Sequence, residues 1–142
     1  MNWQESIQRY GLHPADDVLP EIRRTLACEI ELERSQAGDR EDDLALLCCV
    51  QLFSRGRLED VLLIWEAKQS GFDLACAIDV QLLCGAGLER TKEFLQNQRS
   101  PEATSALNYI LNSEAAGDFV DWSPDRYLDN WCRYFGVNKS QS

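Results

Sequence analysis

Histidine is almost missing from this chain of 142 residues, where His13 stands alone. A cysteine nucleophile would find only that imidazole as an activating base. No serine stands in a nucleophile-elbow pattern, and no His/Glu metal motif occurs. The chain therefore reads as a non-enzyme, with no cofactor and no metal. The six cysteines form no Cys-x-x-Cys pair, which removes the spacing a structural zinc site uses. Most sit among Leu, Val and Ala, where cysteine acts as a small buried hydrophobe. Long apolar runs are also lacking. The longest, Leu44 to Val50, falls far below the ~18 residues of a membrane span. Met1-Asn2-Trp3-Gln4-Glu5-Ser6 has neither the basic nor the apolar stretch of a secretory signal. A reducing cytoplasm therefore fits the cysteines better than a disulfide framework. Basic residues are scarce as well: 14 against 24 acidic, for a net charge of −10. Such an excess repels nucleic acid and anionic membrane surfaces and favours basic partners; the alternative is that it only keeps the chain soluble.

What is present is a segment that recurs thirty residues later. Asp43-Leu44-Ala45 returns as Asp73-Leu74-Ala75, Val50-Gln51-Leu52 as Val80-Gln81-Leu82, and Leu58-Glu59 as Leu88-Glu89. Both copies read as helix, short turn, helix. A fixed period in this range is a signature of stacked helical hairpins that bury their apolar faces on one another.

The punctuation supports an all-α reading. Trp3 to Tyr10 is a short helix stopped by Gly11. Leu19, Ile22, Leu26 and Ile30 make the apolar stripe of the next, with Glu21, Arg23, Arg24, Glu29 and Glu33 expected to face water. Ala37-Gly38 ends it. Leu44 to Phe53 is apolar almost all round, as a central helix is, and the turn Ser54-Arg55-Gly56-Arg57 leads to a helix from about Leu58 to Gln69. Asp73 is expected to cap a second nearly buried helix through Leu82. The small residues Gly85-Ala86-Gly87 then allow close approach, without the strand that a phosphate-cradling loop needs. Ser100-Pro101 and Ser123-Pro124 are helix starts. The expectation is an all-α domain over residues 1–137, of about seven helices in stacked antiparallel hairpins with a repeat of about 30 residues, a short α-solenoid. Residues 138–142 read as a disordered tail.

Three features could carry function. The first is the charge cluster Asp39, Arg40, Glu41, Asp42, Asp43 before Leu44. One or two of its acids can serve the helix N-terminus, and the rest exceed that need. The second is Asp118 to Tyr134, where Asp118, Asp121, Asp125 and Asp129 interleave with Phe119, Trp122, Tyr127 and Trp131. Aromatic anchors ringed by charge are what protein interfaces use, though helical spacing alone places some of these aromatics in the core. The third is Asp79, between Ile78 and Val80 in a segment expected to be buried; it must find a partner or reach solvent.

Ile64 to Leu95 contains Ile-Trp-Glu-Ala-Lys, then Phe72-Asp73, then Ile78-Asp79-Val80-Gln81-Leu82-Leu83-Cys84-Gly85-Ala86-Gly87 and Thr91-Lys92. This looks like a segment of small acidic bacterial proteins. The short, acidic, helical and non-catalytic profile resembles immunity proteins of bacterial toxin systems. The resemblance is one of type and carries no residue roles. It implies a single tight protein partner, a basic toxin domain, with no nucleic acid and no membrane involved. The residues expected to meet it are Asp39, Glu41, Asp42, Asp118, Asp121, Trp122, Asp125 and Asp129. The alternative is a helical-repeat adaptor that joins other proteins without a toxin.

Overall fold

Helix signals and chain turns coincide through most of the molecule. The structure is a computed structural model and describes residues 1–35 and 43–137. Among the described residues there are eight α-helices: α1 Trp3–Tyr10, α2 Leu19–Ser35, α3 Leu44–Arg55, α4 Val61–Lys68, α5 Phe72–Ala77, α6 Leu88–Asn97, α7 Pro101–Ala115 and α8 Pro124–Tyr134. Single 3-10 turns cover Asp16–Val18, Leu58–Asp60 and Val80–Leu83. No strand occurs among the described residues. The stop at Ala37-Gly38, the acids Asp39, Glu41 and Asp42, and the expected tail at 138–142 lie outside the described residues.

α3 is the centre. Every residue from Leu44 to Phe53 is buried, and α1, α2, α5, α8 and the 80–83 turn pack around it. Fully burying a side chain such as Leu47 contributes about 1.5–3 kcal/mol. The one polar side chain in that run, Gln51, is wholly shielded. Its amide donates to the Gly11 carbonyl at 2.8 Å and to Ser6 Oγ at 3.3 Å, which fixes α1 on α3. Asp43 opens the helix but makes no side-chain cap; its carboxylate instead accepts from the Tyr134 hydroxyl at 2.6 Å. α2 lays its stripe of Leu19, Ile22, Leu26 and Ile30 against this core, as its spacing predicts. It is tied to the α4 entrance by Arg23, whose guanidinium donates to both oxygens of the buried Asp60 at 2.7 and 3.1 Å.

The second copy does not form the continuous helix its sequence suggests. α5 stops at Ala77. Ile78 and Asp79 are extended, with φ/ψ of −92/108 and −69/147, and a 3-10 turn follows. The cause is visible at the thirty-residue offset. Asp79 stands where the first copy has Cys49, a fully buried side chain. An α-helix through this point would sink a carboxylate into the core, at a cost of several kcal/mol. The extended pair turns Asp79 outward to solvent instead, while Ile78 and Val80 stay buried.

The six residues of α5 are too few to be helical unaided. Two charges from other elements hold its ends. Gly71, not Asp73, is its N-cap, and the cap itself comes from α2: Glu33 Oε2 accepts from the Leu74 N–H at 3.0 Å. Glu33 is therefore buried, not solvated as its charge suggests. A Cβ at position 71 would lie 2.6 Å from the Glu33 side chain, which would have to shift to admit it. At the other end the buried Lys68 Nζ donates to the carbonyls of Ala75 at 2.7 Å and Ile78 at 2.5 Å. A cation at a helix C-terminus complements both the free carbonyls and the macrodipole.

The small residues at 85–87 do allow close approach. A Cβ on Gly85 would sit 2.3 Å from the Phe53 carbonyl oxygen, so the turn of the second copy abuts the end of α3 backbone to backbone. Four of the six cysteines are buried and Cys28 and Cys76 are exposed; all six are free thiols. Burial pushes the Cys84 thiol up to about 12.

Candidate protein-binding surface

α7 ends in a Schellman arrangement. Gly117 takes φ +94, its N–H reaching the Glu114 carbonyl, while the Asp118 N–H reaches that of Ser113 at 3.0 Å. The chain then makes a tight turn through Asp121. Asp121 is the one non-glycine with positive φ among the described residues, at +53, a conformation aspartate accepts more readily than most. Gln81 donates to the Asp118 carbonyl at 3.2 Å, and Arg126 Nη1 to that of Asp121 at 3.3 Å. The turn is thus held at both shoulders. Ser123 caps α8 through the Arg126 N–H, with Pro124 in the first turn.

This geometry separates apolar from charged side chains. Phe119 and Trp122 turn inward. Their rings meet at 5.2 Å, and Trp122 continues onto Phe53 and Tyr127 at 6.4 and 5.8 Å. Tyr127, Leu128 and Trp131 along α8, and Phe135 at its C-cap, also face the core, which continues the aromatic row to Trp3 on α1. The Tyr127 hydroxyl donates to Asp79 at 2.7 Å, so the carboxylate expelled from the second copy anchors α8. Burial first, and that hydrogen bond second, raise the Tyr127 phenol above its ordinary value and keep it protonated.

What remains outside is a projecting turn. Val120 is 72 % exposed at its tip, with the exposed acids Asp118 and Asp121 on either side and the exposed Asp125 at the start of α8. Beside it runs a shallow groove of about 410 Å³ between Val120, Trp122, Arg126, Asp129, Asn130 and Arg133. Of the residues singled out in the sequence, Asp121, Trp122 and Asp129 share this groove. Asp118 and Asp125 flank it as exposed carboxylates, and Asp129 and Trp122 are half-buried. Trp122 is a floor under the turn rather than a free anchor. Asp39, Glu41 and Asp42 lie outside the described residues.

Sequence reasoning passed over Val120, the most prominent apolar group here. The signal was an aliphatic residue between two acids just after a helix-ending glycine, where no core face awaits it. It also passed over Arg126 and Arg133, which give the groove mixed charge. Among the described residues no group of His, Cys, Asp and Glu could hold a metal ion, and no helix is long and apolar enough to cross a membrane. Comparison with family models, with curated proteins and with solved structures returned no match.

Proposed function

We propose that the protein binds one basic protein partner, in the manner of the immunity proteins its profile resembles, and that the 117–125 turn is the leading contact. The observation that carries this reading is the pairing of a 72 % exposed Val120 with three exposed carboxylates on a backbone held at both shoulders. A small apolar knob can be desolvated on contact, while the surrounding acids steer a basic surface and set its orientation. Rigidity lowers the ordering cost of association. The net charge of −10 acts in the same direction at long range. We read the two thirty-residue units as stacked hairpins; the abutment of Gly85 on Phe53 supports this. On this reading the stack is the scaffold that presents the turn.

The test is affinity capture with the purified protein at low and moderate salt, followed by association kinetics with whatever is retained. One basic toxin-like protein is expected, with an association rate that falls as salt rises. Val120→Glu and Asp121→Lys should each weaken the complex by about tenfold or more. Several unrelated partners would favour the adaptor alternative. A rate indifferent to salt, or full affinity in both variants, would remove this surface from consideration.

A further inference from the structure

At the opposite end of α3 from Asp43, cations gather in a chain that is otherwise acidic. The 54–57 turn carries Arg55 and Arg57, and both donate to the same oxygen, Asp16 Oδ1, at 2.6 and 2.5 Å. Arg55 also contacts His13 Nε2 at 2.7 Å. That imidazole faces a guanidinium, so the bond requires its neutral form with Nε2 as acceptor. One carboxylate thus serves two guanidiniums. The Nε–H of Arg55 is shielded from solvent and takes no acceptor. Arg90, in the first turn of α6, borders the same groove of about 370 Å³ as Arg55, Gly56 and Arg57. It forms no ion pair among the described residues, whereas Lys92 two residues along is bound by Glu89 and Glu114. The carboxylate on the rim, Glu59, faces Arg23 at 3.4 Å. Arg55 and Arg57 therefore share one carboxylate oxygen, and Arg90 borders the groove with no ion-pair partner among the described residues.

We propose that this groove is a binding site for a phosphate group, with Arg57 and Arg90 as its principal donors and Asp16 as the side chain that occupies the position in the absence of ligand. Phosphate offers more acceptor oxygens than one carboxylate, and guanidinium forks match it in geometry. The groove is open, which suits a small anion or an exposed phosphomonoester. It involves none of the residues of the 117–125 turn, so its success or failure is independent of the partner-binding proposal.

The test is titration of the full chain with inorganic phosphate, followed by amide chemical shifts against sodium chloride at matched ionic strength. Saturable shifts confined to residues 55–58 and 88–90 are expected. Arg57→Gln and Arg90→Gln should each weaken binding about tenfold, as loss of a charge-assisted donor does. Asp16→Asn should tighten it, because the internal competitor loses its charge. A purely structural cluster would lose stability in all three variants and show no such opposition of sign. O-phosphoserine as a second probe distinguishes a free ion from an esterified group. Equal shifts with chloride, non-saturating shifts, or weaker binding in Asp16→Asn would overturn the proposal; thermal melts of each variant confirm that the fold persists.

Discussion

The two copies of the thirty-residue unit share Asp-Leu-Ala and Val-Gln-Leu at matching positions, yet one is an unbroken buried helix and the other a six-residue helix, a kink and a 3-10 turn. Between those shared triplets they differ at four consecutive positions: Leu46, Leu47, Cys48 and Cys49 of the first copy correspond to Cys76, Ala77, Ile78 and Asp79 of the second. A single carboxylate among them is enough, because the cost of burying it exceeds what three or four helical hydrogen bonds contribute net. The identical residues around it then serve other ends. Gln51 ties down α1 from inside the core, while Gln81 reaches the carbonyl of Asp118 near the surface.

The comparison can be broken most severely by moving the charge. Cys49→Asp should destabilise the fold by about 4 kcal/mol or more, since α3 is surrounded and cannot turn the residue outward; chemical denaturation would show it. Gly85→Ala should cost about 2 kcal/mol or more by driving a methyl against the Phe53 carbonyl, and the same measurement applies. Glu33→Gln tests the borrowed cap. A loss of about 1–2 kcal/mol is expected, with hydrogen exchange accelerated at Leu74 and Ala75 and unchanged in α3. Tyr127→Phe removes the hydroxyl that meets Asp79 and should cost about 0.5–1.5 kcal/mol.

The smallest effect is set by pH. Partial burial, and next the charge of Arg55, lower the His13 pKa below 6.5, against weaker opposing contributions from the Ser54 backbone and Asp16. The unfolded chain therefore takes up the proton first as pH falls. Stability from this group is complete above pH 6.5 and declines as pH drops from 6.5 through the lower native value. Stability curves of His13→Gln should lack that slope, and because no other histidine exists the comparison is clean.

Much of this architecture was legible in the chain. Gly11, Gly56, Gly117 and the two Ser-Pro pairs mark helix ends through local backbone preferences, which need no tertiary information. The apolar face of α8 followed from spacing alone. The second copy was misread because repeat identities conceal one decisive substitution, whose effect depends on what surrounds it. Glu33 was assigned to water by its charge, although it continues the three- and four-residue spacing of Leu19, Ile22, Leu26 and Ile30. Its periodicity pointed to the core, and its hydrogen bond from Leu74, 41 residues away, helps a carboxylate to be accepted there. At the candidate surface, the division of aromatics from acids was legible. The seating of Trp122 on Phe53 was not, since nothing local brings those two rings together.

The double clamp on α5 has a consequence for the order of folding. Its N-terminal hydrogen-bond acceptor arrives from α2 and its C-terminal donors from Lys68 on α4, so the helix lacks the means to form before both have docked. α5 is therefore expected to form late, after the elements that clamp it have docked. Weakening either clamp should leave the refolding rate nearly unchanged and quicken unfolding, the kinetic behaviour of contacts absent from the transition state. The same segment carries Phe72, 82 % exposed, and is expected to open more readily than the buried α3.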